Sequence, residues 1–229
     1  MSIKNFTGRA EAYAKGRPGY PKAAVDYICS LVPHNAIFAD IGAGTGLFTE
    51  KLAAQGYIIY AIEPNADMRE QLALTLAPYP TVTIVEGSDE ATTLLDHSVD
   101  VITVAHALHW FNINAFRKEC RRILKPNGLV IVVYNLLSDG SGEVANLSKR
   151  AIDAFFQEPT IMAFPNPVEY TREKWLAFVT SQDNAPLPTD PNYDAHVVEV
   201  NTDFDRNSTD GLLIMDRVTK IYSESIVYV

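Results

Sequence analysis

Cysteine is scarce. Cys29 and Cys120 are the only two in 229 residues, and neither sits in a C-x-x-C pair or near a histidine at ligand spacing. No disulfide framework or zinc site organises the chain, and a reduced, cytoplasmic protein is expected. Positive charge is also short, with 19 Lys and Arg against 28 Asp and Glu, a net charge of −9. That balance argues against nucleic acid or an anionic membrane as the main partner. The basic cluster Arg117, Lys118, Arg121, Arg122 and Lys125 falls in the last turns of a predicted helix, where cations suit the dipole. No apolar run reaches membrane-spanning length, and residues 1–9 lack the apolar centre of a signal peptide. Internal repeats and linkers are missing too, so residues 1–229 are expected to form a single domain.

What is present is a strand, a glycine turn and a helix. Residues 37–41 are apolar apart from Asp40, and glycines follow at Gly42, Gly44 and Gly46. Leu47, Phe48 and Leu52 then fall at helical spacing before a stop at Gly56. Open α/β sheets use this arrangement to hold nucleotide-like ligands against bare backbone. Around it, strands are predicted at residues 36–41, 57–62, 82–85, 99–105 and 129–134, with helices at 47–55, 65–76 and 114–124. Their near-continuous apolar runs mark strands buried on both faces, hence a parallel sheet wound by helices. Ahead of the sheet, residues 11–15 read as helix, Gly16 to Pro21 break it, and a second helix ends at Pro33. Beyond Asn135, helices are predicted at 143–156 and 172–179, with proline-rich loops at 159–167 and 186–191. Residues 212–222 read as a strand that pairs antiparallel with residues 196–204, unless that earlier piece is helical.

The glycine spacing restricts the ligand. A dinucleotide loop reads G-x-G-x-x-G, and its third glycine would fall on Leu47. Here Gly46 gives G-x-G-x-G, with Asp40 two residues ahead of the loop. Glu63 closes the second strand where an acceptor can hold ribose hydroxyls. Taken together these residues fit an adenosine-type ligand without phosphates. Taken singly, Asp40 reads equally as a carboxylate bracing the loop, and Glu63 as a surface charge before Pro64.

Residues 39–46, Ala-Asp-Ile-Gly-Ala-Gly-Thr-Gly, resemble the first motif of class I S-adenosylmethionine-dependent methyltransferases. The likeness continues through Glu63-Pro64-Asn65 and Met68, Glu86 to Glu90, Ser98 to Asp100, His109-Trp110-Phe111, and Arg122 to Gly128. Tyr13, Arg17, Pro18, Tyr20 and Pro21 resemble the leading segment of a small-molecule branch around the trans-aconitate and ubiquinone-type methyltransferases. The resemblance implies an α/β, Rossmann-like, doubly wound sheet of seven strands, mostly parallel, with an antiparallel final hairpin. It implies S-adenosyl-L-methionine as cofactor, with residues 1–35 as a helical lid, 36–135 as the cofactor-binding core and 136–229 as acceptor-side helices and terminal strands. Gly42, Ala43, Gly44 and Gly46 would pass under the methionine part, with Asp40 near its amino group. Glu63 and Pro64 would border the ribose, and Ser88, Asp89 and Glu90 the adenine. Ala105 and His106 would offer backbone beside the amine or the sulfonium.

Methyl transfer from a sulfonium needs a base only if the acceptor arrives protonated. His109, just after the fourth strand, is the candidate base; the alternative is a structural histidine packed beside Trp110 and Phe111. Arg17 suits the cofactor's carboxylate or an acidic substrate, and Tyr13 the sulfonium region or the acceptor. Both also read as a basic, aromatic tail packed on the sheet. Trp175, Phe155 and Phe156 line an acceptor pocket or belong to the core. Residues 105–108 lack the Asn/Asp-Pro-Pro-aromatic tetrad that grips a flipped base, and no carboxylate cluster points to a metal. The expected protein is a methyltransferase for a small-molecule acceptor, monomeric or homodimeric. Its rivals are a cofactor-binding module without transfer and an NAD-dependent oxidoreductase.

Overall fold

The computed structural model describes residues 6–226. The chain opens with helices α1 (Ala10–Gly16) and α2 (Lys22–Ser30), followed by β1 (Ile37–Ile41) and α3 (Thr49–Ala53). Then come β2 (Ile58–Ile62), α4 (Ala66–Leu76), β3 (Val82–Val85), β4 (Val99–Ala105), α5 (Ile113–Ile123) and β5 (Leu124–Leu137). The C-terminal part adds α6 (Glu143–Phe155), β6 (Thr160–Pro165), β7 (Val168–Tyr170), α7 (Arg172–Thr180), α8 (Tyr193–Asn207), β8 (Leu213–Met215) and β9 (Arg217–Ser225).

Seven strands form one sheet in the order β3-β2-β1-β4-β5-β9-β6. The first five pair in parallel, and β9 runs antiparallel to both β5 and β6. Strand side chains alternate between faces, so each strand supplies two cores. Ala39, Ile102, Val130 and Val132 pack with Phe116 and Cys120 of α5 and Phe155 of α6 on one face. Phe38, Ile59, Val101 and Ile131 pack with Ile28 of α2 and Leu52 of α3 on the other. This is the expected seven-stranded, mostly parallel architecture. A separate two-stranded antiparallel sheet, β7–β8, joins α7 and α8 in a smaller cluster around Tyr170, Phe178, Phe204 and Leu213. No helix among the described residues is long and apolar enough to cross a membrane.

Three elements depart from the sequence expectation. Residues 196–204 are helical, inside α8, because Val200 and Phe204 lie one turn apart and bury one stripe. The strand that pairs with β9 comes instead from the proline-rich stretch, as β6. An edge strand tolerates Pro165 at its end because it needs ladder bonds on one side only. The helix after the glycine turn starts at Thr49 rather than Leu47, since residues 42–48 are spent on the turn itself.

The leading segment is fastened to the C-terminal elements. A Cβ on Gly16 would lie 2.1 Å from the Phe178 backbone nitrogen, so only glycine lets α1 meet α7. The Arg9 guanidinium donates to the carbonyls of Thr180, the last residue of α7 (3.1 Å), and Ala185 beyond it (2.5 Å). Lys15 pairs with Glu173 on the same helix.

Candidate active site

The glycine turn sits at the carboxyl end of β1, where parallel α/β sheets open a crevice. Gly44 has φ +58°, and no atom of the described residues lies within 4 Å of where its Cβ would be. The backbone is therefore bare toward the crevice. Gly46 serves packing: at φ +88°, its Cβ would meet Leu72 Cδ1 of α4 at 2.8 Å. Between them, the Thr45 hydroxyl is buried without a hydrogen-bond partner among the described residues. Buried hydroxyls are rarely left so, and Thr45 also lines the larger of the two cavities beside this turn.

Glu63 is fixed under that turn. One carboxylate oxygen accepts the Gly44 N–H at 2.8 Å, and the other the Asn65 N–H at 2.9 Å. Burial raises its pKa, and these backbone bonds pull it back. Glu63 lines a small cavity of about 60 Å³ with Phe6, Pro64, Met68, Asp89 and Phe111. Asp89, also raised by burial, accepts the Asn112 N–H at 3.2 Å. Beside it lies a cavity of about 570 Å³, within the range of small-molecule sites. Tyr13, Gly42, Gly44, Ala105, His106 and Trp110 line both, so the two spaces share one wall. Ala43, Arg17 and His109 line the larger one.

Four candidates lie off these walls. Asp40 is buried below the turn, where one oxygen accepts the Thr49 hydroxyl at 2.5 Å and the other the Thr103 hydroxyl at 2.8 Å. Burial raises its pKa to about 6 against these two bonds. Gly46 faces α4. The Ser88 hydroxyl accepts the N–H groups of Glu90 (3.3 Å) and Ala91 (3.2 Å), which shapes a turn and leaves Glu90 exposed.

Tyr13, Arg17, Pro18 and Tyr20 of the leading segment line part of the larger cavity. Arg17 donates from Nε to the Ser181 hydroxyl at 2.9 Å and stacks on Tyr13, its guanidinium carbon 4.7 Å from the ring centroid. Arg217 on β9 lines the same cavity, with a buried Nε that has no hydrogen-bond partner among the described residues. His109 lies in a single helical turn at residues 108–110, and its backbone N–H and Nδ1 are both 3.1 Å from the Tyr134 hydroxyl. His106 adopts φ +57°, and its Nε2 accepts the Asn135 N–H at 2.6 Å.

Residues 39–132 match the family model described as a methyltransferase domain. An uncharacterized methyltransferase of Mycobacterium tuberculosis is 30% identical over 196 residues, 84% of this chain and 78% of the relative. The chain belongs to the S-adenosylmethionine-dependent methyltransferases. An uncharacterized methyltransferase-like protein of Schizosaccharomyces pombe is 33% identical over 65% of this chain and 58% of the relative. Among solved structures, a candidate type II methyltransferase from Anaeromyxobacter dehalogenans superposes with a TM-score of 0.65 at 20% identity. It covers 92% of this chain and 98% of that one, a likeness of fold.

In this methyltransferase three wall-forming or wall-supporting residues escaped the sequence reading. Asn135 donates to the Gly19 carbonyl at 3.0 Å and accepts the Thr219 hydroxyl at 2.6 Å, tying the leading segment to β9. A polar residue ending the apolar run 129–134 is the signal that marks it. Tyr134 hides within that run, and Arg217 lies in the thinly matching tail.

Proposed function

We propose that this methyltransferase binds S-adenosyl-L-methionine across the glycine turn and methylates a small-molecule acceptor in the larger cavity. One observation carries the reading: bare Gly44 stands on the wall shared by an acidic cleft and a cavity of about 570 Å³. When bound, the cofactor supplies an electrophilic methyl group on a sulfonium. The chain aligns the reactants and excludes water. Glu63 would take the ribose hydroxyls, because its oxygens are fixed by Gly44 and Asn65 and still have lone pairs to offer. Asp89 would accept from the adenine amine, and the Thr45 hydroxyl would bond a polar group lying on the turn. Arg17, held by Ser181, would face the cofactor's carboxylate, while Tyr13 and Trp110 close over the shared wall. The likeness of residues 13–21 to the trans-aconitate and ubiquinone-type branch supports a small acceptor. So does the size of the larger cavity, about 570 Å³, whose lining includes Tyr13 of α1 and Phe178 of α7.

Titration calorimetry with S-adenosylmethionine, S-adenosylhomocysteine and NAD, one at a time, tests the cofactor. Both sulfur ligands are expected to bind and NAD is not; binding of NAD alone would overturn the reading. Label transfer from the methyl-labelled cofactor into a metabolite extract tests turnover. Absence of transfer to any pool, in protein that binds the cofactor, would leave a binding module.

A further inference from the structure

Two histidines line the larger cavity, His106 and His109, and their hydrogen bonds fix where each proton sits. A backbone N–H can only donate, so His106 Nε2, accepting from Asn135 at 2.6 Å, carries no hydrogen. A neutral His106 is therefore protonated on Nδ1. At His109 the partner is the Tyr134 hydroxyl, on a side chain with no solvent exposure. That oxygen already accepts the His109 backbone N–H, and its own proton needs an acceptor. Among the described residues, His109 Nδ1 at 3.1 Å is the one the geometry provides. His109 is therefore protonated on Nε2. Neither Nδ1 of His106 nor Nε2 of His109 is a buried orphan, and both residues line the larger cavity.

We propose that His106 and His109 are paired hydrogen-bond donors to an anionic oxygen of the methyl acceptor, and that neither serves as a base. The proposal rests on the methyltransferase reading. Charge around the pair points the same way. Arg17 from the leading segment and Arg217 from β9 both press on His106, and Arg17 presses on His109, each disfavouring a second proton. Asp183, beyond α7, opposes this at His109. Burial is the largest effect, and it takes His106 down to about 3 and His109 down to about 4. Neither Arg17 nor Arg217 has a carboxylate partner among the described residues. With Arg17 given to the cofactor's carboxylate, two neutral donors and the Arg217 guanidinium suit an acceptor oxygen that is ionised at neutral pH, as in a carboxylate or an acidic enol. With such a nucleophile the O–C bond forms as the C–S bond breaks and the bonding pair leaves on sulfur. No proton moves, so no base is required.

Nitrogen-15 NMR on histidine-labelled full chain, saturated with S-adenosylhomocysteine, reads both tautomers, with His106→Gln and His109→Gln assigning the signals. Expected are an Nδ1-protonated His106 and an Nε2-protonated His109, with neither ring titrating from pH 8 down to about pH 5, above both lowered values. Tyr134→Phe should release the His109 tautomer and leave His106 unchanged. Sodium benzoate, as a probe oxyanion, should shift both ring N–H signals, and benzamide should not. The opposite tautomer at either ring, titration of either near the ordinary histidine range, no benzoate shift, or an equal benzamide shift would each overturn the proposal. Saturation with S-adenosylhomocysteine is checked separately by calorimetry. Loss of that binding faults the cofactor reading, whereas wrong tautomers fault the donor pair.

Discussion

Glu63→Gln is the sharpest perturbation of the cofactor site, because it keeps the shape and removes the charge. In the wild type the two oxygens accept N–H groups from Gly44 at 2.8 Å and Asn65 at 2.9 Å. An amide retains one oxygen and turns an NH₂ toward the other N–H, setting donor against donor. One unsatisfied backbone group costs about 1–3 kcal/mol, so stability should fall by about that amount while the fold survives. Binding loses a charge-assisted bond to the ribose hydroxyls, worth about 1.5–3 kcal/mol. At about 1.4 kcal/mol per decade, S-adenosylhomocysteine affinity should drop roughly ten- to a hundredfold. Calorimetry gives the affinity and urea denaturation the stability, with Glu86→Gln as control. Glu86 is an exposed partner of Arg69 and should leave affinity unchanged. A folded Glu63→Gln protein that binds S-adenosylhomocysteine within about twofold of wild type would refute the assignment, since that corresponds to less than half a kcal/mol.

Gly46→Ala should destabilise the protein by about 2–4 kcal/mol, combining a left-handed backbone penalty with overpacking against Leu72; an unchanged denaturation midpoint would remove the close-packing argument. Phe6 packs edge-on to Tyr13 (6.1 Å) and Trp110 (6.0 Å) at the acidic cleft, whose 60 Å³ is too small for a nucleoside. Phe6→Ala should therefore speed S-adenosylhomocysteine association in stopped-flow fluorescence, and an unchanged or slower rate would show that Phe6 does not obstruct the cleft. Asp40 is raised from 3.8 to about 6, so its contribution to stability is full below its unfolded value and is lost as pH rises through about 6. His106 and His109 run the other way: both are lowered from 6.5, so their contribution is lost as pH falls toward about 4. Urea denaturation should therefore show wild type losing stability on acidification from pH 6.5, and Asp40→Asn losing it more steeply. Parallel curves for the two proteins would sink the Asp40 argument.

The parallel half of the sheet was legible because strands buried on both faces leave long apolar runs with little else to explain them. Residues 99–105 and 129–134 have nearly no polar alternative, and they became β4 and the body of β5. The C-terminal part was harder for a physical reason. β6 is an edge strand whose pattern is mostly exposed, so it lacks the apolar run that betrays its neighbours. Residues 196–204 mix Val, Thr and Phe with charges, a composition that suits strand or helix until a packing face selects one. Phe204 packing with Tyr170 and Phe178, and Val200 buried one turn before it, select the helix.

The site divides along a similar line. Residues that touch a ligand through backbone, such as Gly42 and Gly44, are written locally, because the turn demands their type at their spacing. Glu63 is nearly as local, fixed by an N–H two residues on and by the turn that its own strand supports. Asp40 was ambiguous because an acid before a glycine turn can point up to a ligand or down to a brace. Thr49 and Thr103 decide it, and Thr103 lies on another strand. Proton positions are the least local feature. Nothing in the neighbourhood of His106 or His109 says which nitrogen holds the hydrogen; Asn135 and Tyr134, on the adjacent strand, do. Those two residues read as a polar end and a buried aromatic in an unremarkable apolar run. Pairing β4 with β5 brings them beside the histidines and turns a candidate base into a donor, so the chemistry of this wall is set by strand register rather than by motif.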